Sequence, residues 1–171
     1  NTTWAVFGHV SYAVTDALTL TGGARYTDDE KDLAAFHAPL FPIAPQTVSD
    51  DQVSWDLNAL YEVSDQLNIY GRLASGFRAP TIQGRDVAFF SPPSVATSEK
   101  IMSYELGFKS ELANRRVRLN GAIFHYRVED PQFTAVGGAG NLVQLVTADE
   151  GRAWGFELDG TFRASENFLL T

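Results

Sequence analysis

The sequence predicts an all-β protein, an antiparallel meander of about seven to eight long strands that forms a segment of a transmembrane β-barrel. Three observations lead to this fold class. Apolar and polar side chains alternate with a period of two along most of the 171 residues. Short polar turns alternate with long segments that contain proline and glycine. Charged side chains recur on the polar faces of the strands, in numbers that a dry protein core would not accept.

Strands are predicted wherever this alternation holds. Between residues 53 and 63, for example, Val53, Trp55 and Leu57 share one face, whereas Ser54 and Asp56 share the other. The chain begins in an apparent strand, and the same pattern predicts strands at 18–26, 53–63, 67–73, 102–108, 116–128 and 154–162, with a fragment of another at 168–171. The prediction is therefore seven strands and part of an eighth.

The alternation in the strand at 116–128 becomes irregular after Ile123. His125 and Arg127 follow on the face that had been apolar. Either a β-bulge at this point or an exit of the strand from the apolar layer would explain the change.

Short turns and long loops alternate along the chain. Four short polar turns start at residues 15, 64, 113 and 165, at spacings of 49, 49 and 52, and each has the composition of a tight hairpin turn. Long irregular segments are predicted between them at 28–52, 77–98 and 130–146. Tyr12, Tyr61 and Phe162 each precede a short turn by three positions, so we expect aromatic rings along this end of the strands.

The length of this repeat fits a membrane barrel. Two crossing strands of about 9 to 11 residues and a short turn take up roughly 25 residues, and the rest of the repeat forms one long loop. Short periplasmic turns and long extracellular loops are typical of outer-membrane barrels. The polar faces would then line a lumen, and the apolar faces would contact lipid. The charged residues on the polar faces are Arg72, Glu105, Lys109, Glu157, Asp159 and Arg163.

Two other barrels remain open at this point. A soluble up-and-down barrel or sandwich also has alternating strands, but its loops are usually short at both rims. A small eight-stranded outer-membrane barrel would need a complete eighth strand, and only residues 168–171 follow the last turn. Closure of a barrel by these residues alone is therefore not expected.

Composition excludes several classes of function. The formal net charge is −8, with 13 basic and 21 acidic residues, which argues against nucleic-acid binding. The chain has no cysteine, so it can form neither a disulfide nor a thiolate metal site. No apolar run approaches the roughly 18 residues of a membrane helix, and the first residues, NTTWAVFGHV, lack the features of a signal peptide. Because the chain begins and ends within apparent strands, we interpret it as an internal piece of a longer protein.

No enzyme, cofactor or metal motif is predicted. The acidic cluster in the first long segment lacks the spacing of a calcium loop, so we interpret it as a solvated loop; it comprises Asp28, Asp29, Glu30, Asp32, Asp50 and Asp51. The three histidines, His9, His37 and His125, have no partner at ligand spacing. The glycine-rich run at 137–140 opens no helix and is expected to be a loop tip. Glu129 and Asp130 precede Pro131 at the start of a loop and do not form an acid–base pair.

Four stretches together resemble a known family. They are SGFRAPTIQGR (75–85), SEKIMSYELGFKSEL (98–112), RRVRLNGAIFHYRVEDPQFT (115–134) and GRAWGFELDGTF (151–162), and LTGGARY (20–26) is similar to the preceding hairpin of the same family. In this order and spacing they resemble the barrel of TonB-dependent receptors of Gram-negative outer membranes. Any one of these motifs alone would be weak support.

The resemblance implies both architecture and function. Such receptors close about 22 strands around a plugged lumen, so the 171 residues would be about a third of the wall. The N-terminal plug domain, with its segment that contacts TonB, has no counterpart in these residues. The family imports scarce ligands, above all ferric siderophores but also cobalamin or carbohydrates, with energy passed on by TonB. A passive or structural outer-membrane barrel is the alternative.

The candidate ligand-binding residues lie in the stretch at 75–85. We expect Phe77 and Arg78 to end a strand at the outer rim, because Pro80 has no N–H group for a neighbouring strand. Phe77, Arg78, Gln83 and Arg85 would then lie near the ligand vestibule. The arginines could bind carboxylate or catecholate oxygens of an anionic siderophore. Alternatively, they pair with carboxylates of the lumen or plug, which is favoured because the motif looks common to receptors with different ligands.

Overall fold

The computed structural model describes residues 1–37, 41–89, 91–138 and 142–171. Its strands in chain order are β1 (Thr2–Ala13), β2 (Leu18–Leu33), β3 (Phe36–His37), β4 (Phe41–Pro42), β5 (Gln46–Ser64), β6 (Leu67–Arg78), β7 (Thr81–Gln83), β8 (Ser94–Ala96), β9 (Glu99–Leu112), β10 (Val117–Glu129), β11 (Gln132–Gly137), β12 (Leu142–Thr147), β13 (Glu150–Ser165) and β14 (Phe168–Leu170). One 3-10 turn, Arg85–Phe89, lies between β7 and β8. None of the described residues belongs to a helix that is long and apolar enough to cross a membrane.

Eight of these strands form one antiparallel sheet. Its order is β1-β2-β5-β6-β9-β10-β13-β14, so strands that follow one another along the main meander are also neighbours in space. β1 and β14 form the two edges of this sheet. Three small hairpins, β3–β4, β7–β8 and β11–β12, lie in the connections. The predicted all-β meander of seven long strands and a fragment of an eighth is confirmed.

The four predicted short turns are also confirmed. They join β1 to β2, β5 to β6, β9 to β10 and β13 to β14, and none is longer than four residues. In the turn between β9 and β10, Ala113, Asn114 and Arg115 all have positive φ, at 53°, 55° and 65°. A left-handed backbone is unfavourable for alanine and arginine, so the paired strands on either side hold this turn in place.

The long segments contain more structure than the sequence predicted. β2 and β5 stay paired as far as Leu33 and Gln46, so most of the segment at 28–52 is a strand extension and not an irregular loop. Both faces of this extension are polar, which removes the alternation that marks a half-buried strand. The segments at 77–98 and 130–146 likewise contain the hairpins β7–β8 and β11–β12. Residues 38–40, 90 and 139–141, including part of the glycine-rich run, lie outside the described residues.

β10 has no bulge after Ile123, where its alternation of apolar and polar side chains becomes irregular. Its register with β9 and β13 is continuous from Val117 to Glu129. His125 lies directly opposite Tyr104 and Trp154. Of the two explanations offered by the sequence, the bulge is wrong, and an exit of the strand from the apolar layer accounts for the change.

The main sheet has one apolar and one polar face. The apolar face is largely exposed: Trp154 is 82% and Phe156 is 77% accessible. Its apolar band covers nine positions on several strands, for example 117–125 on β10, and about 9 to 11 residues are needed to cross a bilayer. Side chains exposed on this face include Val6, Val10, Leu20, Val53, Leu57, Ile69, Leu73, Leu106, Ile123, Leu158 and the predicted rings Tyr12, Tyr61 and Phe162. This is the arrangement expected for a lipid-facing surface.

The strands are staggered, as in the wall of a tilted barrel. One row of directly opposed residues runs from Val10 in β1 through Tyr104 in β9 to Trp154 in β13. Val10 lies three residues before the end of β1 at Ala13, whereas Trp154 lies eleven residues before the end of β13 at Ser165. The row therefore moves away from the short-turn rim as it crosses the sheet, which is the shear that barrel closure requires.

Candidate ligand-binding rim and lumen wall

Arg78 lies at the outer end of the polar face, where the sequence placed the end of a strand. β6 ends at this residue, two positions before Pro80. The Arg78 guanidinium is 3.9 Å from the carboxylate of Glu99, and its side chain is 61% exposed. Phe77 precedes it in an extended strand and therefore points to the opposite face, where it is paired with Lys100. The structure thus separates Phe77 from Arg78.

Gln83 and Arg85 lie together just beyond this strand end. The side-chain oxygen of Gln83 accepts a hydrogen bond of 3.0 Å from the backbone N–H of Arg85, at the start of the 3-10 turn. Gln83 is therefore engaged in holding the local backbone. The Arg85 side chain is exposed, and within the described parts of the chain it makes no hydrogen bond or ion pair.

A buried glutamine that the sequence did not single out fixes this rim. Gln132 is only 8% exposed. Its amide nitrogen donates to the carbonyls of Ala79 at 3.0 Å and Thr97 at 2.7 Å, and its amide oxygen accepts from the Thr81 hydroxyl at 3.0 Å. Its backbone N–H donates to Glu99 at 2.8 Å. Through these hydrogen bonds, Gln132 holds three segments together: the one after β6, the one before β9 and the one after β10.

A second anchor comes from the extension of β2. The Lys31 ammonium donates to the carbonyl of Pro80 at 2.7 Å and lies 3.0 Å from the Asp29 carboxylate. The Thr3 hydroxyl donates to Asp29 at 2.6 Å. Burial alone would raise the pKa of Asp29, but the hydrogen bonds from Thr3 and Lys31 and the charge of Lys31 outweigh it, so that this pKa is lowered.

These contacts correct the interpretation of the acidic cluster as a solvated loop for Asp29 and Asp50, whereas Glu30, Asp32 and Asp51 are exposed to solvent. Asp29 is only 7% exposed and is paired with Lys31, and Asp50 accepts hydrogen bonds from the side chains of Gln52 and Ser98. Asp29 and Asp50 lie opposite each other on the lumen side of the β2–β5 extension. Among the described residues, no three histidine or acidic side chains are placed to hold a metal ion.

The polar face below the rim carries a cross-strand network. The Tyr70 hydroxyl donates to Glu105 at 2.6 Å, and the Lys109 ammonium lies 5.6 Å from the centre of the Tyr70 ring. Asn120 donates to Asp159 at 3.0 Å. The charged face that the sequence predicted therefore carries polar contacts between neighbouring strands.

A depression of about 450 Å³ lies in this wall near β1 and β2. The polar side chains that line it include His9, Arg25, Asp56 and Arg72. A larger depression, of about 840 Å³, lies on the apolar face and is lined mainly by apolar side chains. The larger depression faces away from the lumen.

The chain is similar to known proteins along its whole length. The family described as TonB dependent receptor-like, beta-barrel matches residues 1–171. The pesticin receptor of Yersinia enterocolitica is 32% identical over 170 residues, which cover 94% of this chain and 24% of that receptor. The chain thus spans about a quarter of the curated relatives that it matches.

Solved structures show the same fold. The ferric yersiniabactin uptake receptor FyuA from Yersinia pestis superimposes with a TM-score of 0.75 at 24% identity, over 96% of this chain and 24% of that one. The copper transporter OprC gives a TM-score of 0.72 at 16% identity, over 98% of this chain and 27% of that one. Fold, family match and the two-faced sheet agree. The chain belongs to the TonB-dependent receptor family, as a segment of the receptor β-barrel in the outer membrane of a Gram-negative bacterium.

Proposed function

We propose that the receptor to which this barrel segment belongs imports a ferric siderophore across the outer membrane. The observation that carries the proposal is the 32% identity to the pesticin receptor over 170 residues. The fold similarity to FyuA, a ferric yersiniabactin uptake receptor, supports it. The function is transport without covalent chemistry.

Two arginines are proposed to make the first contacts with the siderophore. Arg85 has an exposed guanidinium, and Arg78 is held only loosely by Glu99, at 3.9 Å. Guanidinium groups form paired, charge-assisted hydrogen bonds to carboxylate and catecholate oxygens. Because Gln132 and Lys31 fix the backbone at Ala79 and Pro80, the siderophore would meet arginines on a rigid support.

The energy for release of the ligand is proposed to come from TonB. On this proposal residues 1–171 are all barrel wall, and the plug domain with its TonB-contacting segment belongs to the rest of the receptor. The lumen face is polar, and its side chains include Arg72, Glu105 and Lys109. The released ligand would therefore move along a solvated polar surface.

Uptake of iron-loaded siderophore by cells tests both the function and the arginines. Deletion of the receptor gene, or of the gene for TonB, should abolish uptake of radioactive iron bound to the cognate siderophore. The double variant R78A/R85A should raise the Kd for the siderophore about tenfold or more, because charge-assisted hydrogen bonds contribute roughly 1.5–3 kcal/mol. R115A, which removes an arginine at the short-turn rim that is 87% exposed, should leave the Kd unchanged.

Receptor abundance provides an independent check. A siderophore receptor should become more abundant in outer membranes when cells are starved of iron. Constant abundance, together with normal iron uptake after deletion, would contradict the proposal. Loss of cobalamin or carbohydrate uptake in the same deletion strain would assign the receptor to those ligands instead.

A further inference from the structure

Arg78 and Glu99 form a cross-strand pair at the outer end of the lumen face. Arg78 ends β6 and Glu99 begins β9, and the two residues are directly opposite each other. Each lies six positions from a residue of the lumen face, Arg72 and Glu105 respectively, so both side chains point into the lumen. Among the described residues, Glu99 is the one acidic side chain that pairs with Arg78. An anion that binds Arg78 from the lumen therefore has to compete with Glu99.

Two other arginine–glutamate pairs are opposed across β9 and show what controls the distance. Arg118 approaches Glu111 to 2.7 Å. Arg72 and Glu105 are opposed in the same way, but within the described parts of the chain they form no ion pair. Here the carboxylate accepts a hydrogen bond of 2.6 Å from the Tyr70 hydroxyl. A carboxylate that is held by a neutral donor thus leaves the opposed guanidinium free.

Glu99 is held away from Arg78 in a similar manner. Opposed side chains in antiparallel strands have Cβ atoms only about 5 Å apart, yet Glu99 stays 3.9 Å from the guanidinium, which is beyond hydrogen-bonding distance. The backbone N–H of Gln132 donates at 2.8 Å to Oε2 of Glu99, the same oxygen that faces Arg78. Gln132 is 8% exposed and its side chain makes three hydrogen bonds of its own, so this N–H is fixed. Arg78 remains 61% exposed, and its donors stay available.

We propose that Glu99 competes with anionic ligands for the guanidinium of Arg78 and thereby limits how tightly the receptor binds an anionic siderophore. The inference rests on the proposed function, since it takes Arg78 as a ligand contact. A carboxylate or catecholate of the ligand accepts paired hydrogen bonds from the guanidinium, while Glu99 keeps its hydrogen bond from Gln132. The negative charge of Glu99 stays close to the bound anion, repels it and favours its release.

Binding of citrate to the purified full-length receptor tests the role of Glu99. Iron-free citrate, a small anion with three carboxylates, serves as the probe, and its Kd is measured in detergent by isothermal titration calorimetry. E99Q should lower this Kd about three- to tenfold, because a negative charge next to the bound anion is removed. R78A should raise the Kd, and R78A/E99Q should agree with R78A within about twofold, because the gain depends on the guanidinium.

Two controls separate the charge of Glu99 from its structural contact. The amide oxygen introduced by E99Q still accepts the N–H of Gln132, so hydrogen exchange of the backbone amides at 79–83 should match that of the unchanged receptor. E111Q is the matched control, since it also removes a carboxylate that pairs with an arginine across β9, but at the short-turn end of the strand. Its Kd for citrate should change by less than about twofold.

The outcomes that would overturn the inference are distinct from those that bear on import. Equal Kd values for E99Q and the unchanged receptor would overturn it, as would an equal gain in E111Q, a gain that persists without Arg78, or no citrate binding to E99Q. E99A removes the charge together with the hydrogen bond; it should give the same gain and decides the outcome if E99Q does not insert. Normal siderophore uptake after deletion of the receptor gene would contradict the proposed function and leave the citrate result standing.

Discussion

Three cross-strand pairs place an aromatic ring directly over a glycine. Tyr70 lies over Gly107 on the lumen face, and the other two pairs are Phe108 over Gly121 and Phe124 over Gly155. A Cβ atom at Gly107 would lie 2.6 Å from the Tyr70 ring, far inside van der Waals contact. The missing side chain allows Tyr70 to lie flat between Glu105 and Lys109, with which it interacts. The polar network of the wall therefore depends on a residue that has no side chain.

The substitution G107A should destabilise the receptor by about 1–3 kcal/mol, because the added methyl group forces the Tyr70 ring out of position. Urea unfolding of the full-length receptor in detergent, followed by the heat-modifiable band on gels, would measure this. G8A is the matched control, since nothing lies within 4 Å of a Cβ at Gly8, and its effect should stay within about 0.5 kcal/mol. Equal midpoints for G107A and G8A would refute the role assigned to the glycine.

At the level of single residues, the sequence could predict those structural features that depend on residues a few positions away in the chain. The strand end at Arg78 follows from Pro80 two positions later, and the structure confirms it. Gln132 could not be found in the same way, because its side-chain partners Ala79, Thr81 and Thr97 lie 35 to 53 positions away in the chain. Its residue type and its position after a proline are ordinary for a loop, and only its burial shows what it does.

The same distinction between local and distant effects applies to the connections between strands. Short turns were predictable because their polar residues act locally on the backbone. The outer parts of β2 and β5 were not predictable. A hairpin that is solvated on both faces keeps its backbone hydrogen bonds but loses the alternation of apolar and polar side chains. Hydrogen bonds such as that from Thr47 to Asp32, at 2.8 Å, support this extension from the side chains. Sequence therefore predicted the membrane part of each hairpin better than its outer part.

Gln132 should control the mobility of the outer connections. Q132A removes three side-chain hydrogen bonds of roughly 1 kcal/mol each, so backbone amides at 79–83 and 94–97 should exchange about 10- to 100-fold faster. Hydrogen exchange followed by mass spectrometry of the full-length receptor would detect this. Q144A, at an exposed position on β12, should leave these amides unchanged. Unaltered exchange in Q132A would mean that Lys31 and the β7–β8 pairing suffice to hold the rim.

As a whole, the sheet is a wall without closure. β1 and β14 each present an unpaired edge, and the apolar face has large exposed side chains from Trp4 to Phe162. Such edges and patches promote association in water. The family resemblance predicted a partial barrel of this kind, whereas the candidate ligand residues stay predictions.

The isolated 171-residue chain should aggregate when detergent is removed. Light scattering after dilution from urea into buffer would show large particles, because neither the edges nor the lipid-facing side is covered. The same dilution into detergent micelles covers the apolar face and should reduce the scattering. A soluble monomer with β-sheet circular dichroism in plain buffer would contradict the assignment of the exposed apolar face to lipid.

Because the strands are staggered, each row of opposed lumen residues follows a helical path along the barrel wall. A row of opposed lumen residues begins at His9, close to the short-turn rim of β1, passes Asp56 and Ser103, and reaches Ala153 near the outer end of β13. Movement around the wall along one row is therefore also movement in depth. A solute that passes from one lumen side chain to the next in this row, from β13 towards β1, therefore moves around the wall and towards the short-turn rim at the same time.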